Sequence, residues 1–289
     1  MSIKQSELIL NSDGSIYHLH LRPEDLAPTI ITVGDPDRVD QVSKYFDYID
    51  FKQHKREFKT HTGTLNNKRM TVLSTGIGSD NVDIVLNELD ALVNIDFETR
   101  QLKTNLSSLN IVRIGTSGAL QSDVPIDSFL MSTHGLDING MLPSYKIENI
   151  RNKAFEKAFC VHTDWNNDRA QPVLVENSKK LEHQLYENHI LTGITATCGG
   201  FYGPQGRMLR LEPKDSIFRS KLQSFRYEDL KITNFEMETS AIYGLSKLLG
   251  HQACSMNAIL ANRANGTFSK TAEKTIDKLI QYTLNKLMH

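Results

Sequence analysis

Short apolar runs alternate with amphipathic stretches along most of the chain, and that alternation is what most restricts its fold. Strand-like runs lie at Thr29–Val33, Lys68–Ser74, 109–114, 127–132, Leu191–Thr197 and 253–260, bounded by Gly, Asn or Pro. Between them Val82, Val85, Leu86, Leu89, Leu92 and Val93 share one helical face, with Ser79 and Asp80 as expected caps. Ile242, Leu245, Leu248 and Leu249 repeat the pattern and stop at Gly250. Residues 271–288 repeat it once more through Ile276, Leu279, Ile280, Leu284 and Leu287. Buried strands interleaved with amphipathic helices predict an α/β fold. We expect a single domain over 29–289 with a central mixed sheet flanked by helices, preceded by an irregular arm at 1–28. Asn66-Asn67 reads as a tight hairpin. The polar stretch 134–170 lacks a period and reads as long loops with one short helix.

Charge narrows the function. The chain has 33 basic and 34 acidic residues, a net charge of −1, so it offers no global field for nucleic acid or an anionic membrane. A few local arginines can still hold a small anion. Cys160, Cys198 and Cys254 show neither CxxC nor metal-ligand spacing, which fits a reducing compartment. The first ten residues lack the apolar run of a secretory signal, and no stretch approaches the length of a membrane span. A cytoplasmic protein is expected, with partners that are small molecules.

Arginines and glycines cluster where strands give way to helices. Gly34 ends an apolar strand, and Asp35-Pro36-Asp37-Arg38 opens a helix. Glycine frees the backbone to approach a ligand, and a helix start favours an anion. Arg38 in that first turn opposes the helix dipole, which hints at an anionic partner. The plainer alternative is an exposed arginine on a turn. Arg113 lies within an apolar strand, where a charge is costly unless paired. Gly115, Thr116, Ser117 and Gly118 follow at the strand's C-terminal end, where ligands gather in open α/β sheets. A structural salt bridge would also explain Arg113. No Walker loop and no GxGxxG is present, so neither ATP nor NAD is indicated.

Two further segments carry polar groups suited to a nucleoside. Glu236 and Glu238, two residues apart, can accept from vicinal hydroxyls such as those of a ribose, or they are exposed acids at a helix start. In the glycine–proline loop 200–207, Phe201 can stack on a planar ring. Gln205 offers a donor and an acceptor to an imide edge, and Arg207 donates to a carbonyl. That set suits uracil, although a surface loop with an aromatic anchor reads the same way.

In this order, Gly34 to Val39, His54 to Phe58, Ser74 to Gly78, Arg113 to Gln121, Phe201 to Arg207 and Phe235 to Glu238 resemble the uridine phosphorylase branch of the hexameric nucleoside phosphorylase family. The resemblance implies phosphorolysis of uridine or deoxyuridine in pyrimidine salvage, with inorganic phosphate as co-substrate and no required cofactor. It implies Gly34, Arg38, Arg113 and Thr116 as phosphate binders, with Arg56 reaching into an adjacent subunit's site. His18 would cross the same interface toward the ribose 5′-hydroxyl, and Met237 and Glu238 would hold the ribose beside Glu236. Gln205 and Arg207 would read uracil, Phe201 would line the base pocket, and Arg263 would approach a uracil carbonyl. Arg113, Arg207 and Arg263 would then carry the chemistry. A homo-oligomer is implied, a dimer at least and up to a hexamer.

Two departures bear on this. The purine branch has an acid that protonates the leaving base, whereas residues 260–264 here contain none, with Asn262 beside Arg263. Ser79-Asp80-Asn81 replaces a more usual Gly-Pro-Ser, which touches a monovalent-cation site, potassium in the family, that would use Glu57, Ile77 and Asn81. A purine phosphorylase, a nucleoside hydrolase of the same fold and a non-catalytic nucleoside-binding protein are the alternatives.

Overall fold

In the computed structural model, which describes residues 2–289, the strand–helix alternation becomes a mixed twelve-stranded sheet with helices on both faces. The first half comprises β1 (Thr29–Val33), α1 (Pro36–Ser43), β2 (Tyr48–Lys55), β3 (Phe58–Leu65), β4 (Lys68–Ser74) and α2 (Ser79–Asn94). A two-stranded ribbon, β5 (Ile95–Asp96) and β6 (Gln101–Leu102), leads to β7 (Asn110–Ala119) and β8 (Phe129–Asp137). Next come α3 (Lys153–Thr163), β9 (Val173–Glu176), α4 (Lys179–Leu185), β10 (Leu191–Thr197) and α5 (Phe218–Ser224). The chain ends with β11 (Arg226–Tyr227), β12 (Leu230–Glu236), α6 (Thr239–Leu249), β13 (Gln252–Asn262), β14 (Thr267–Phe268) and α7 (Ala272–Met288).

The strand order is β11-β12-β10-β8-β13-β7-β1-β4-β3-β2. β7 pairs in parallel with β1 and β13, and its far end meets β12 antiparallel through Ala119 and Gly118. The strands β7, β13, β8, β10 and β12 therefore close into a ring, which brings the end of β12 back beside β7. Apolar residues of α2 and α6 pack together with Ile30 and Ile111. Those of α1 and α7 pack with Ile31, Val112 and Met256. Consecutive strand residues face opposite sides, so each strand feeds both layers. Leu8, Ile16, Leu19, Leu21 and Leu26 of the irregular N-terminal segment are buried in the α2–α6 layer.

Several boundaries depart from the sequence pattern. The strand expected to end at Ile114 continues to Ala119, so Gly115 and Gly118 are strand residues rather than a turn. The run expected at 127–132 starts at Phe129, because Asp127 adopts φ 64°, and continues to Asp137. The stretch read as loops therefore begins as strand and contains the eleven-residue α3, whose Phe155 and Phe159 are buried. Ser79 is the first residue of α2 rather than its cap; Gly78, at φ 99°, takes that position. The Asn66-Asn67 hairpin has positive φ at both residues, as a type I′ turn requires. Gly250 ends α6 in the left-handed conformation.

Candidate active site

The two glycine turns after β1 and β4 stand side by side. Thr75 N–H donates to Val33 O at 2.8 Å, and a Cβ on Gly34 would lie 3.6 Å from Gly76 O. Asp35 caps α1 by accepting from Asp37 N–H, and Pro36 occupies the first turn. This geometry fixes Arg38 in the first turn of the helix, half-buried, with a buried Nε that has no partner among the described residues. Burial lowers its pKa; Asp35 and Glu238 oppose that and Arg113 adds to it. Arg38, Arg113 and Glu238 thus share one electrostatic neighbourhood.

Arg113 is 5% exposed and pinned from three sides. Its Nη2 lies 2.7 Å from Glu238 Oε2 and 3.2 Å from Glu236 Oε2, and its Nη1 donates to Asn257 Oδ1 at 3.0 Å. Burial disfavours the charge, but the two glutamates outweigh it and hold the pKa above the ordinary arginine value. Gly115 makes this pose possible, since a Cβ there would lie 1.9 Å from Arg113 Nη1. Thr116, half-buried, follows on the same strand.

The paired acids are not exposed, and they differ in role. Glu238 opens α6; its Oε1 accepts from Gly78 N–H at 2.8 Å, so it ties the α2 start to Arg113. Met237, between the two acids, is half-buried, and its carbonyl accepts from Ser79 Oγ. Glu236 is turned inward. It accepts from Thr197 Oγ1 at 2.7 Å and from Glu238 N–H and Thr239 N–H at 2.9 and 2.8 Å. Burial raises its pKa, with Arg113 opposing. With its lone pairs so occupied, Glu236 holds the β12–α6 turn rather than offering an acceptor to a ligand.

The base-reading candidates gather at the other end of β7. Gln205 is 2% exposed in a short 3-10 turn ended by Gly206 at φ 65°. Arg207 donates to Gln205 Oε1 and, at 2.7 Å, to Phe201 O. Its guanidinium lies 3.7 Å from the centroid of the half-exposed Phe201 ring. Arg263 donates to Gln205 O at 3.3 Å, while its buried Nη1 has no partner among the described residues. Its backbone N–H bonds Ala119 O, and a Cβ on Gly118 would lie 3.7 Å from Arg263 Cγ. Burial, Arg207 and Arg219 together lower the Arg263 pKa to about 10. β7 therefore carries Arg113 in its middle and abuts Arg263 at its end.

His18 and Arg56 are not part of this constellation. His18 Nδ1 lies 2.6 Å from Glu88 Oε1, and Arg56 is exposed at the β2–β3 turn with φ 57°. The residues that precede them in sequence are in contact, Lys55 Nζ donating to Tyr17 O at 2.6 Å. Glu57 and Asn81 both flank Gly76, and Asn81 Nδ2 donates to Ile77 O at 3.4 Å.

Asn257, Ser255 and Thr197 were not anticipated from sequence. Ser255 and Asn257 are buried polar residues in the largely apolar run of β13, the pattern that singles out Arg113, and Thr197 is a buried threonine at the end of β10.

A sequence model of the Phosphorylase superfamily matches residues 28–286. The uridine phosphorylase of Thermococcus kodakarensis is 28% identical over 263 residues, 91% of this chain and 83% of that one. The uridine phosphorylase of Haemophilus influenzae is 25% identical and covers 92% of this chain and 96% of its own. Among solved structures, a Trypanosoma brucei nucleoside phosphorylase described as showing uridine phosphorylase activity superposes with a TM-score of 0.85. It is 27% identical, covering 96% of this chain and 99% of its own. With nearly its whole length matched, and with its arginines and glycine turns assembled around β7, the chain belongs to the phosphorylase superfamily.

Proposed function

We propose that the chain phosphorolyses uridine, and deoxyuridine, to uracil and the pentose 1-phosphate, as a step of pyrimidine salvage. One observation carries the choice of base. Arg207 and Arg263 converge on Gln205 with no carboxylic acid among them. The position beside Arg263, where a purine-cleaving relative would need a proton donor, is Asn262. Its amide is spent on the Gln121 and Val124 carbonyls. Such a site stabilises a base that leaves as an anion rather than one that must be protonated as it leaves.

In this reading Arg38, Gly34 and Thr116 bind phosphate beside Arg113, and Glu238 holds the ribose hydroxyls with Met237 alongside. A phosphate oxygen bonds to C1′ as the C1′–N1 electron pair departs with the base. The sugar gains positive charge next to the bound phosphate, and the pyrimidine oxygens gain negative charge next to Arg207 and Arg263. The released uracil anion takes its proton from solvent.

Arg56 and His18 act in a neighbouring subunit's site, which makes the enzyme a homo-oligomer, a dimer at least. The contact between the preceding residues Lys55 and Tyr17 supports this, as does the pairing of His18 with Glu88 away from the chain's own site. No redox cofactor is required. A monovalent cation such as potassium would be held by the Glu57 carboxylate and the Ile77 and Asn81 oxygens, although here Asn81 turns its Nδ2 toward Gly76 and Ile77 O; no step of the reaction runs through it. Among the described residues no helix is long and apolar enough to cross a membrane. The three free cysteines suit the cytoplasm.

A nucleoside panel with phosphate tests the reading. Uridine and deoxyuridine should release base at least about tenfold faster than inosine, by the difference one unpaired polar group makes. Equal or faster cleavage of inosine would favour the purine alternative and sink the assignment of Gln205, Arg207 and Arg263.

A further inference from the structure

Arg207 belongs to two places at once. Besides touching Gln205, it lines a cavity of about 840 Å³ with an apolar wall that includes Ile138, Leu211 and Phe218. That volume is in the range of sites for whole drug-sized ligands and exceeds what one pyrimidine ring fills. Its charge is lopsided. Arg169, Arg207, Arg210 and Lys214 line it against a single carboxylate, Glu212. Among the described residues Lys214 has a loose pairing with Asp168 at 3.6 Å, and none of the three arginines has an ion pair. Unpaired guanidinium groups around an apolar cavity favour a ligand with an apolar body and an anionic end.

Arg169 is preorganised for this. Its guanidinium lies 4.7 Å from the Phe218 ring centroid and 5.2 Å from that of Trp165. Trp165 is itself fixed by donating from Nε1 to Ala170 O. The fields of these groups overlap at Cys198. Burial pushes its thiol far above the usual range and Glu236 adds to that, while Arg207, Arg263 and Arg169 oppose it together. Arg169 comes from the stretch that the family resemblance leaves without a role.

We propose that this cavity is a subsite for a short acidic side chain on C5 of the pyrimidine, so that the enzyme accepts uridines bearing a carboxylate there. The inference rests on the proposed placement of the base at Gln205 and Arg207. With the C4 carbonyl held by Arg207, C5 is the next ring atom, and Arg207 is the residue shared with the cavity. The substituent's methylene meets the apolar wall, and its carboxylate meets Arg169 and Arg210.

The test compares 5-carboxymethyluracil with its neutral amide of equal size, 5-carbamoylmethyluracil, by calorimetric titration with phosphate present. The acid should bind at least about tenfold more tightly than the amide, the difference one charge-assisted hydrogen bond makes. Arg169→Gln should remove most of that preference and leave uridine turnover unchanged. Arg210→Gln, at an exposed position where folding is not at stake, should reduce it in part. Undetectable binding of the acid, equal binding of the two bases, or a preference that survives in both variants overturns the proposal. Because binding is read directly, failure of the subsite is distinguishable from failure of the uridine reading, which would appear as loss of uridine turnover in the unaltered protein.

Discussion

Arg113 Nη2 stands 2.7 Å from Glu238 Oε2, and Glu238 reaches back through Oε1 to the N–H of Gly78 at the start of α2. One buried ion pair thus joins three segments far apart in sequence and sets the distance between the proposed anion and ribose ends of the site. A buried pair of this kind adds little net stability, but breaking it strands a charge. It is therefore better understood as a positioning device than as a source of stability.

Gly115→Ala tests that role without removing either charge. The added methyl would overlap Arg113 Nη1, and Arg113 cannot swing aside freely because Glu236, Glu238 and Asn257 hold it. Steady-state kinetics should show kcat/KM lower by about 100-fold, the scale of one misplaced preorganised donor. Native turnover in this variant would mean that the Arg113 pose does not matter to catalysis.

Local signals are legible in the sequence, and long-range geometry is not. Gly34, Arg38 and Arg113 stood out because a strand end, a helix start and a charge in an apolar run are local signals. The closing of the ring by β12 on β7, which brings Glu236 and Glu238 to Arg113, is a non-local pairing that periodicity cannot register. For the same reason the spacing alone pairs Glu236 with Glu238 as a ribose contact. Spacing puts two acids on one side, but only the fold reveals that one of them is consumed by Thr197 and the α6 start. The sequence pattern ends the β7 run at Ile114 because glycine usually bounds such runs; in the fold Gly115 continues the strand and makes room for the Arg113 side chain.

Arg263 should trade stability for activity. Its buried Nη1 lacks a partner among the described residues, and burial with two neighbouring arginines already lowers its pKa to about 10. Arg263→Met should melt at the same temperature as the parent or higher, while base release slows by about 10² to 10³. A variant that is less stable but fully active would mean that Arg263 is a structural residue.

His61 should make the fold acid-sensitive. It is 4% exposed, its Nδ1 sits 2.8 Å from Ser43 Oγ, and burial lowers its pKa, with Asp40 in partial opposition. The folded state therefore keeps His61 neutral at a pH where the unfolded chain takes up a proton, near the ordinary value of ~6.5. Stability should fall as pH drops below that value and level off below the folded pKa. Thermal melts from pH 8 to pH 5 should show a decline that His61→Gln reduces by about 2–4 °C. An identical slope in the variant would place the acid sensitivity elsewhere.

Shared sites predict complementation. Arg38→Ala disables a chain's own site, and Arg56→Ala disables its neighbour's. If random mixing gives half mixed dimers, each with one intact site, activity should recover to about one quarter of the unaltered level. Mixed preparations no more active than either parent would remove Arg56 from the site.

The most direct test of the central claim is the origin of the oxygen on the released sugar. Uridine is cleaved with unlabelled phosphate in ¹⁸O-water, and the sugar product is read by mass spectrometry. An arginine-held phosphate that acts as the nucleophile predicts ribose 1-phosphate without label and no turnover when phosphate is left out. Free ribose carrying ¹⁸O at C1 would contradict it, because water would then be the attacking group and Arg38 and Arg113 would have another purpose.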